Sequence, residues 1–433
     1  MDAKPAAPLK ATLLLVALCL AVAATAVTWT AWDMFGPTHR PMLEGWNDSF
    51  YYFWLPAVVI DHDLDFSKQL AISGTVTASA RNAGLAQRRT ATGLYPSKYP
   101  PGWAFGSLPF FLAARVLAPA GSTGFEPVYL LAVWIGQMLY AAAGLWLAVL
   151  IIRRMVPGAP AAVTVLAVWL ASPLVYYQTA RVSLSHSQVF VLAMAVFWLT
   201  LLVVDGDQRG RVWLALGFPS TLLVATRNVA VVYLAFPAVL LFQRLRSWRA
   251  VGWFVLGAAG PAAMQVVAWK LLFGSWIAYS YGDETFDFAH MHLTDVLFSP
   301  LHGWFYWHPL LLVGIVSFLW WTWRRPVGWP WVISLGAIIV LNAAWPCWWF
   351  ASSFGNRGFE VPIFFGMLGI AVVLRAAQRR PAWRRVLVGV VSLAVVWNLL
   401  LFALFLTRQI PREAAVTYGD EGRALASWFA GIR

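Results

Sequence analysis

Residues 127–154 read PVYLLAVWIGQMLYAAAGLWLAVLIIRR. No charged residue occurs from Pro127 to Ile152, and the run stops at Arg153–Arg154. An α-helix rises about 1.5 Å per residue, so this run exceeds the ~30 Å of a bilayer's hydrocarbon core. The closing Arg pair is a topology signal, because the inner loops of membrane proteins are enriched in Lys and Arg. It places residue 154 on the inner side and Glu126 on the outer side.

Outward from this anchor the same alternation holds in both directions. Toward the C-terminus, apolar runs at 161–177 and 188–204 return the chain to the inner segment Asp205–Arg211. Short runs at 212–225 and 230–242 flank Arg227 and Asn228 outside, and Arg244, Arg246 and Arg249 mark the return. Residues 251–272 lead out, 304–323 lead back to Arg324–Arg325, 331–344 lead out, and 361–374 enter the Arg-rich turn 375–385. The run 386–406 leaves an outer tail. Toward the N-terminus, residues 11–32 follow Lys4 and Lys10 and form a first span rather than a signal peptide, whose apolar region is shorter. Residues 101–118 are read as an interfacial or re-entrant element, since a span there would put Arg153 and Arg154 outside.

The expected fold is an all-α polytopic membrane protein with about eleven transmembrane helices, its N-terminus inside and its C-terminus outside. It forms a single membrane domain over residues 1–433: a first helix (1–32), a long outer loop with interfacial helices (33–126), the remaining spans (127–406) and a tail (407–433).

Composition agrees. Of 433 residues 61% are hydrophobic and 11% charged, and mean hydropathy is +0.68, which leaves too little charge to cover a soluble surface. The net charge of +13 reads as topology signals and contacts to anionic lipid headgroups, not as nucleic-acid binding. Two Cys make no disulfide framework. Most acidic residues and all seven His fall in or beside outer loops. Charges next to apolar spans are costly unless they face water, protein or a polar ligand, so this pattern points to chemistry at the outer surface.

The stretch Asn47-Asp48-Ser49-Phe50-Tyr51-Tyr52, an apolar run to Ile60, and then Asp61-His62-Asp63-Leu64-Asp65 opens the outer loop. Lys98-Tyr99-Pro100-Pro101 precedes the next apolar element. Here the chain resembles the GT-C superfamily of integral-membrane glycosyltransferases, which includes protein mannosyltransferases and lipid A aminoarabinose transferases. Asp48 with Tyr52 four residues on, the later Asp63, and Lys98 with its two prolines match that family's order. The resemblance implies a polyprenyl-phosphate sugar as donor, a lipid, glycan or protein acceptor, no cofactor, and a bacterial inner (plasma) membrane location.

Such transfer needs a base for the acceptor hydroxyl and cations for the departing phosphate. Asp48 is the candidate base; the competing reading is a helix N-cap. Tyr52, Asp63, Lys98, Arg181, His186, Arg227, Trp349 and Arg357 are candidate substrate-binding residues. His186, in the loop Arg181–Ser187, stands where many relatives carry a second acid, and either binds substrate or caps a span. Arg227 lies between two short spans, which favours a lined cavity over snorkelling. In 345–360, Trp348 and Trp349 either stack on sugar or belong to an interfacial belt, while Arg357 between Gly355 and Gly358 suits a phosphate. His290 and His292 lack a firm third ligand, so no metal site is expected. A lipid flippase, or a ligase or polymerase using a lipid pyrophosphate, are the alternative functions.

Overall fold

The computed structural model describes residues 9–35, 43, 47–76, 89–243, 247–282 and 284–431; Lys4, Arg244 and Arg246 lie outside them. Among the described residues the regular elements are all helical. In chain order the α-helices are α1 (Leu9–Phe35), α2 (Asn47–Pro56), α3 (Ser67–Val76), α4 (Gly102–Leu117), α5 (Pro127–Met155), α6 (Ala161–Leu170), α7 (Leu174–Thr179), α8 (His186–Val204) and α9 (Gly210–Thr226). Then follow α10 (Ala235–Gln243), α11 (Trp248–Phe273), α12 (Leu293–Phe298), α13 (Trp304–Trp307), α14 (Pro309–Trp323), α15 (Trp329–Ala344), α16 (Pro362–Ala377), α17 (Pro381–Leu406) and α18 (Tyr418–Gly431).

Five of these helices, α1, α5, α8, α11 and α17, are long and apolar enough to cross a membrane, and the chain is an integral membrane protein. The other apolar runs are shorter or interrupted. α4, α15 and α16 have 16 residues each, about 24 Å. Prolines explain two interruptions: Pro173 separates α6 from α7, and Pro309 separates α13 from α14. The run that opens after Arg227 starts as a 3₁₀ helix, Asn228–Leu234, before α10.

The chain divides into two compact units, neither contiguous in sequence. One comprises Val27–Gly144 and Gln178–Glu284; the other Met1–Ala26, Leu145–Tyr177 and Thr285–Arg433.

In the first unit, α9 and α11 approach backbone to backbone. A Cβ on Gly217 would lie 2.0 Å from the Phe254 carbonyl oxygen, and one on Gly257 would lie 2.0 Å from that of Leu214. Small residues at such contacts let apolar helices pack where lipid removes the hydrophobic drive. From Phe50 onward α2 is apolar or aromatic throughout, and nine of its ten residues are buried. A helix apolar on all sides is enclosed by protein. α2 accordingly packs into an aromatic core with Trp103, Phe111, Phe125 and Tyr129. It ends in a π-turn, Ala57–Asp61, closed by His62 in the left-handed region.

In the second unit α14 and α16 use the same device: a Cβ on Gly369 would lie 1.8 Å from the Gly314 carbonyl oxygen. The break between α6 and α7 leaves backbone carbonyls without helical partners, which is costly in an apolar setting. Ser172 Oγ donates to the Trp169 carbonyl at 3.1 Å, and Asn398 Nδ2 on α17 donates to those of Leu170 and Ser172 at 2.6 and 3.1 Å. The tail contains α18, whose Tyr418 stacks on Tyr306.

Candidate active site

Asp48 lies in the first turn of α2 and is fully buried. Its Oδ1 accepts from the adjacent Ser49 amide at 3.0 Å, a contact within the first turn of the helix itself. Its Oδ2 is bound from a distant stretch: Arg181 Nη2 lies 3.3 Å away, and Ser183 Oγ donates at 3.3 Å. Two residues further on, Ser185 Oγ donates to the Tyr51 hydroxyl at 3.1 Å. The loop before α8 is therefore laced onto α2 at successive positions. A cap needs only a contact to its own helix; burial of a carboxylate needs the ion pair and hydrogen bonds as well.

Gln188, also in the first turn of α8, fixes the next wall. Its Nε2 donates to the Gly102 carbonyl at 2.8 Å and to Thr226 Oγ1 at 3.0 Å. Gly102 sits so close to the end of α9 that a Cβ would fall 2.3 Å from the Ala225 carbonyl carbon. The turn 98–101 is thereby held against the stretch leading to Arg227. The same turn is tied to α2, since Ser97 Oγ donates to the Phe50 carbonyl and Trp54 Nε1 to that of Tyr99. Tyr51 stacks on Tyr99 with ring centroids 4.4 Å apart, and Tyr281 meets Tyr99 edge-on at 5.9 Å.

Around these rings stand the cations. Lys98 pairs with Glu284, and its ammonium lies 5.4 Å from the Tyr281 ring centroid. Arg227 follows directly on α9 in an extended conformation. Burial pushes the Tyr281 phenol up, and the charge of Arg227 pulls against that shift, so the two are close enough to interact. Asp48, Tyr51, Lys98, Arg181 and Arg227 thus belong to one neighbourhood, in which an acceptor carboxylate, phenols and three cations come from four separate stretches of chain.

The remaining candidates are distributed as follows. Tyr52 is buried and donates its hydroxyl to the Gly124 carbonyl, with its ring against Phe111 and Phe125. Asp63 accepts from the Asp65 amide at 3.2 Å and faces Lys68 at 3.7 Å, within a turn that also engages Asp61 and Asp65. His186 is buried in the first turn of α8.

Trp349 and Arg357 lie in the second unit, on the loop between α15 and α16. That loop is held by side-chain hydrogen bonds, one set of them from Tyr177 on α7. Tyr177 exchanges a hydrogen bond with Ser353 and accepts from the Phe354 amide at 2.8 Å. Asn356 Nδ2 donates to the Trp348 carbonyl. Phe350 and Ala351 adopt φ of 57° and 53°, left-handed values that cost a non-glycine residue about 1–2 kcal/mol each. Arg357 sits over the Phe350 ring at 5.8 Å. Nearby His302 is buried, which lowers it to about 4, and its Nε2 donates to the Arg412 carbonyl.

His290 and His292 pair locally with Asp287 and Asp295 at 2.9 and 3.1 Å. Among the described residues no three His, Cys, Asp or Glu side chains come together as a metal site. Sequence reading did not single out Ser183, Tyr51, Tyr99, Gln188 or Tyr281. The first four lay inside or beside quoted motifs, but nothing in the sequence marked Tyr281.

No protein-family model matches the sequence, and no curated protein matches it. Among solved structures, the crystal structure of ArnT from Cupriavidus metallidurans bound to undecaprenyl phosphate is similar, with 16% identity, 93% of this chain and 73% of that chain covered, and a TM-score of 0.49.

Proposed function

We propose that this protein is a GT-C-type membrane glycosyltransferase that moves a sugar from a polyprenyl-phosphate donor to an acceptor hydroxyl on the outer face of the membrane. One observation carries the reading: the buried Asp48 carboxylate, held by a distant Arg and Ser, shares a neighbourhood with Lys98 and Arg227.

Asp48 is the base. The Ser183 hydroxyl, 3.3 Å from Oδ2, occupies a position that an acceptor hydroxyl would take when it enters. The acceptor proton passes to Asp48 as the acceptor oxygen bonds to the anomeric carbon. The bond from that carbon to the phosphate oxygen breaks, and its electron pair leaves with the phosphate. Lys98, Arg181 and Arg227 stabilise that charge, a role that needs preorganised cations more than a proton donor. A guanidinium has five N–H donors, so Arg181 can serve the carboxylate and a phosphate together. His186, in the first turn of α8, is a further contact for sugar or phosphate in this reading. Tyr52 and Asp63 hold the first outer loop in shape.

The test is transfer by the purified full chain from a polyprenyl-phosphate sugar. Asp48→Asn should lower the rate by roughly 10²–10⁴, the usual range for loss of a general base, with donor lipid still bound. Near-normal turnover in that variant returns Asp48 to the role of a structural cap. Movement of the lipid across vesicles without sugar transfer would favour the flippase instead.

A further inference from the structure

A cavity of about 620 Å³ lies in the second unit, where the turn after α5 meets the ends of α14 and α16 and the start of α17. Arg325, Arg375, Arg379 and Arg380 line it together with Trp321 and Trp383. We propose that this cavity binds the headgroup of an anionic phospholipid, an assignment independent of the glycosyl-transfer reading.

Three features lead there. The first is uncompensated charge. Between Glu360 and Glu413 the sequence contains no acidic residue, while the turn 375–385 alone has five Arg. Among the described residues no carboxylate pairs with any of the four lining arginines, in contrast to Lys98 or Arg209, which each have one. Four like charges around one space repel one another, and a phosphate relieves that repulsion through charge-assisted, bidentate hydrogen bonds.

The second is convergence. The preference for positive inner loops accounts for arginines in the turn after α14 and in the turn between α16 and α17. It does not account for their facing one cavity from two separate turns. Neighbouring arginines show the difference: Arg324 stacks on Trp320 at 4.8 Å and does not line the cavity, nor do Arg384 and Arg385.

The third is the wall. Val372, Val373 and Leu387 complete the lining, so the guanidinium groups stand beside aliphatic helix surface. A soluble anion gains nothing from that surface. A phospholipid fits both parts, with phosphate on the arginines, acyl chains along the valines and leucine, and a Trp at headgroup level.

The experiment is native mass spectrometry of the full chain released from mild detergent with added phosphatidylglycerol or phosphatidylcholine. Arg379→Gln/Arg380→Gln should cut phosphatidylglycerol retention at least tenfold. Arg384→Gln/Arg385→Gln, with the same change in net charge, should alter it less than twofold, and phosphatidylcholine should be retained weakly by all three proteins. Equal losses in the two double variants would overturn the site in favour of diffuse surface attraction. Full displacement of the lipid by millimolar inorganic phosphate would overturn the lipid assignment in favour of a soluble anion. Hydrogen exchange on the unmodified protein provides a check that needs no variant: residues 372–387 should slow with phosphatidylglycerol and not with phosphatidylcholine, and no difference between the lipids counts against the proposal.

Discussion

Removing Arg181 should cost far more than neutralising Asp48, and the two changes together should cost less than their sum. Asp48 has no exposed side-chain surface, whereas the Arg181 side chain retains 18%. At 3.3 Å and an effective dielectric constant of about 20, their attraction is on the order of 5 kcal/mol before desolvation is subtracted. In Arg181→Gln the buried carboxylate loses this guanidinium while the Ser49 amide and the Ser183 hydroxyl stay in place. A buried charge stripped of its partner typically costs about 3–5 kcal/mol. In Asp48→Asn the amide oxygen still accepts from Ser49, and the guanidinium turns its exposed edge to water, so about 1–2 kcal/mol is expected. The double variant leaves no unpaired charge, and coupling of roughly 2 kcal/mol should appear in a cycle of unfolding free energies in mixed micelles. Additive losses, with coupling below about 0.5 kcal/mol, would refute the pairing as the reason Asp48 can be buried.

Gly369→Val should prevent recovery of monodisperse protein, because its Cβ would fall 1.8 Å from the Gly314 carbonyl oxygen and backbone cannot yield as a side chain can; a normal size-exclusion profile would contradict the close α14–α16 contact. Asn398→Leu should destabilise by about 2–4 kcal/mol, leaving the Leu170 and Ser172 carbonyls unsatisfied, and a thermal shift indistinguishable from the unmodified protein would count against this role. Glu421 is buried with both carboxylate oxygens unpartnered, and burial raises it to about 8. A raised carboxyl favours the folded state at or below about pH 4.5 and withdraws that support as pH climbs toward 8, so docking of α18 should weaken by on the order of 1–2 kcal/mol across that window. Proteolysis of the tail should follow this pH dependence in the native chain and not in Glu421→Gln; identical profiles would rule out the buried carboxylate as its source.

The helices were legible because the bilayer imposes a length and removes water, so uncharged runs such as 127–152 have one reading. Interruptions were harder. The run 161–177 counts as one span by hydropathy, yet Pro173 breaks it, and the break is tolerable only because Asn398 arrives from a helix more than two hundred residues later. Ser172 answers one carbonyl from within the run, but the partner of the Leu170 and Ser172 carbonyls cannot be inferred from it. The aromatic stretch after Asp48 shows a related gap. Its length gave the helix, but apolar residues on every side state only that something covers it, not whether the cover is lipid or the Trp103–Phe125 core.

The candidate site follows the same division. Asp48, Lys98 and Arg227 stood out because charge beside apolar spans needs a reason. Ser183 and Tyr51 did not, since a hydroxyl in a loop is unremarkable until a buried carboxylate lies 3.3 Å away. In the proposed reading, tertiary placement is what turns the single acid into a reactant. Held on one oxygen by its own helix and on the other by Arg181 and Ser183, the Asp48 carboxylate is fixed in direction, so an incoming hydroxyl that displaces Ser183 meets a base already oriented. A cap would remain useful with its outer oxygen turned to solvent. The lacing of residues 181–185 onto α2, which burial of that oxygen requires, is the feature that a cap does not explain and a positioned base does.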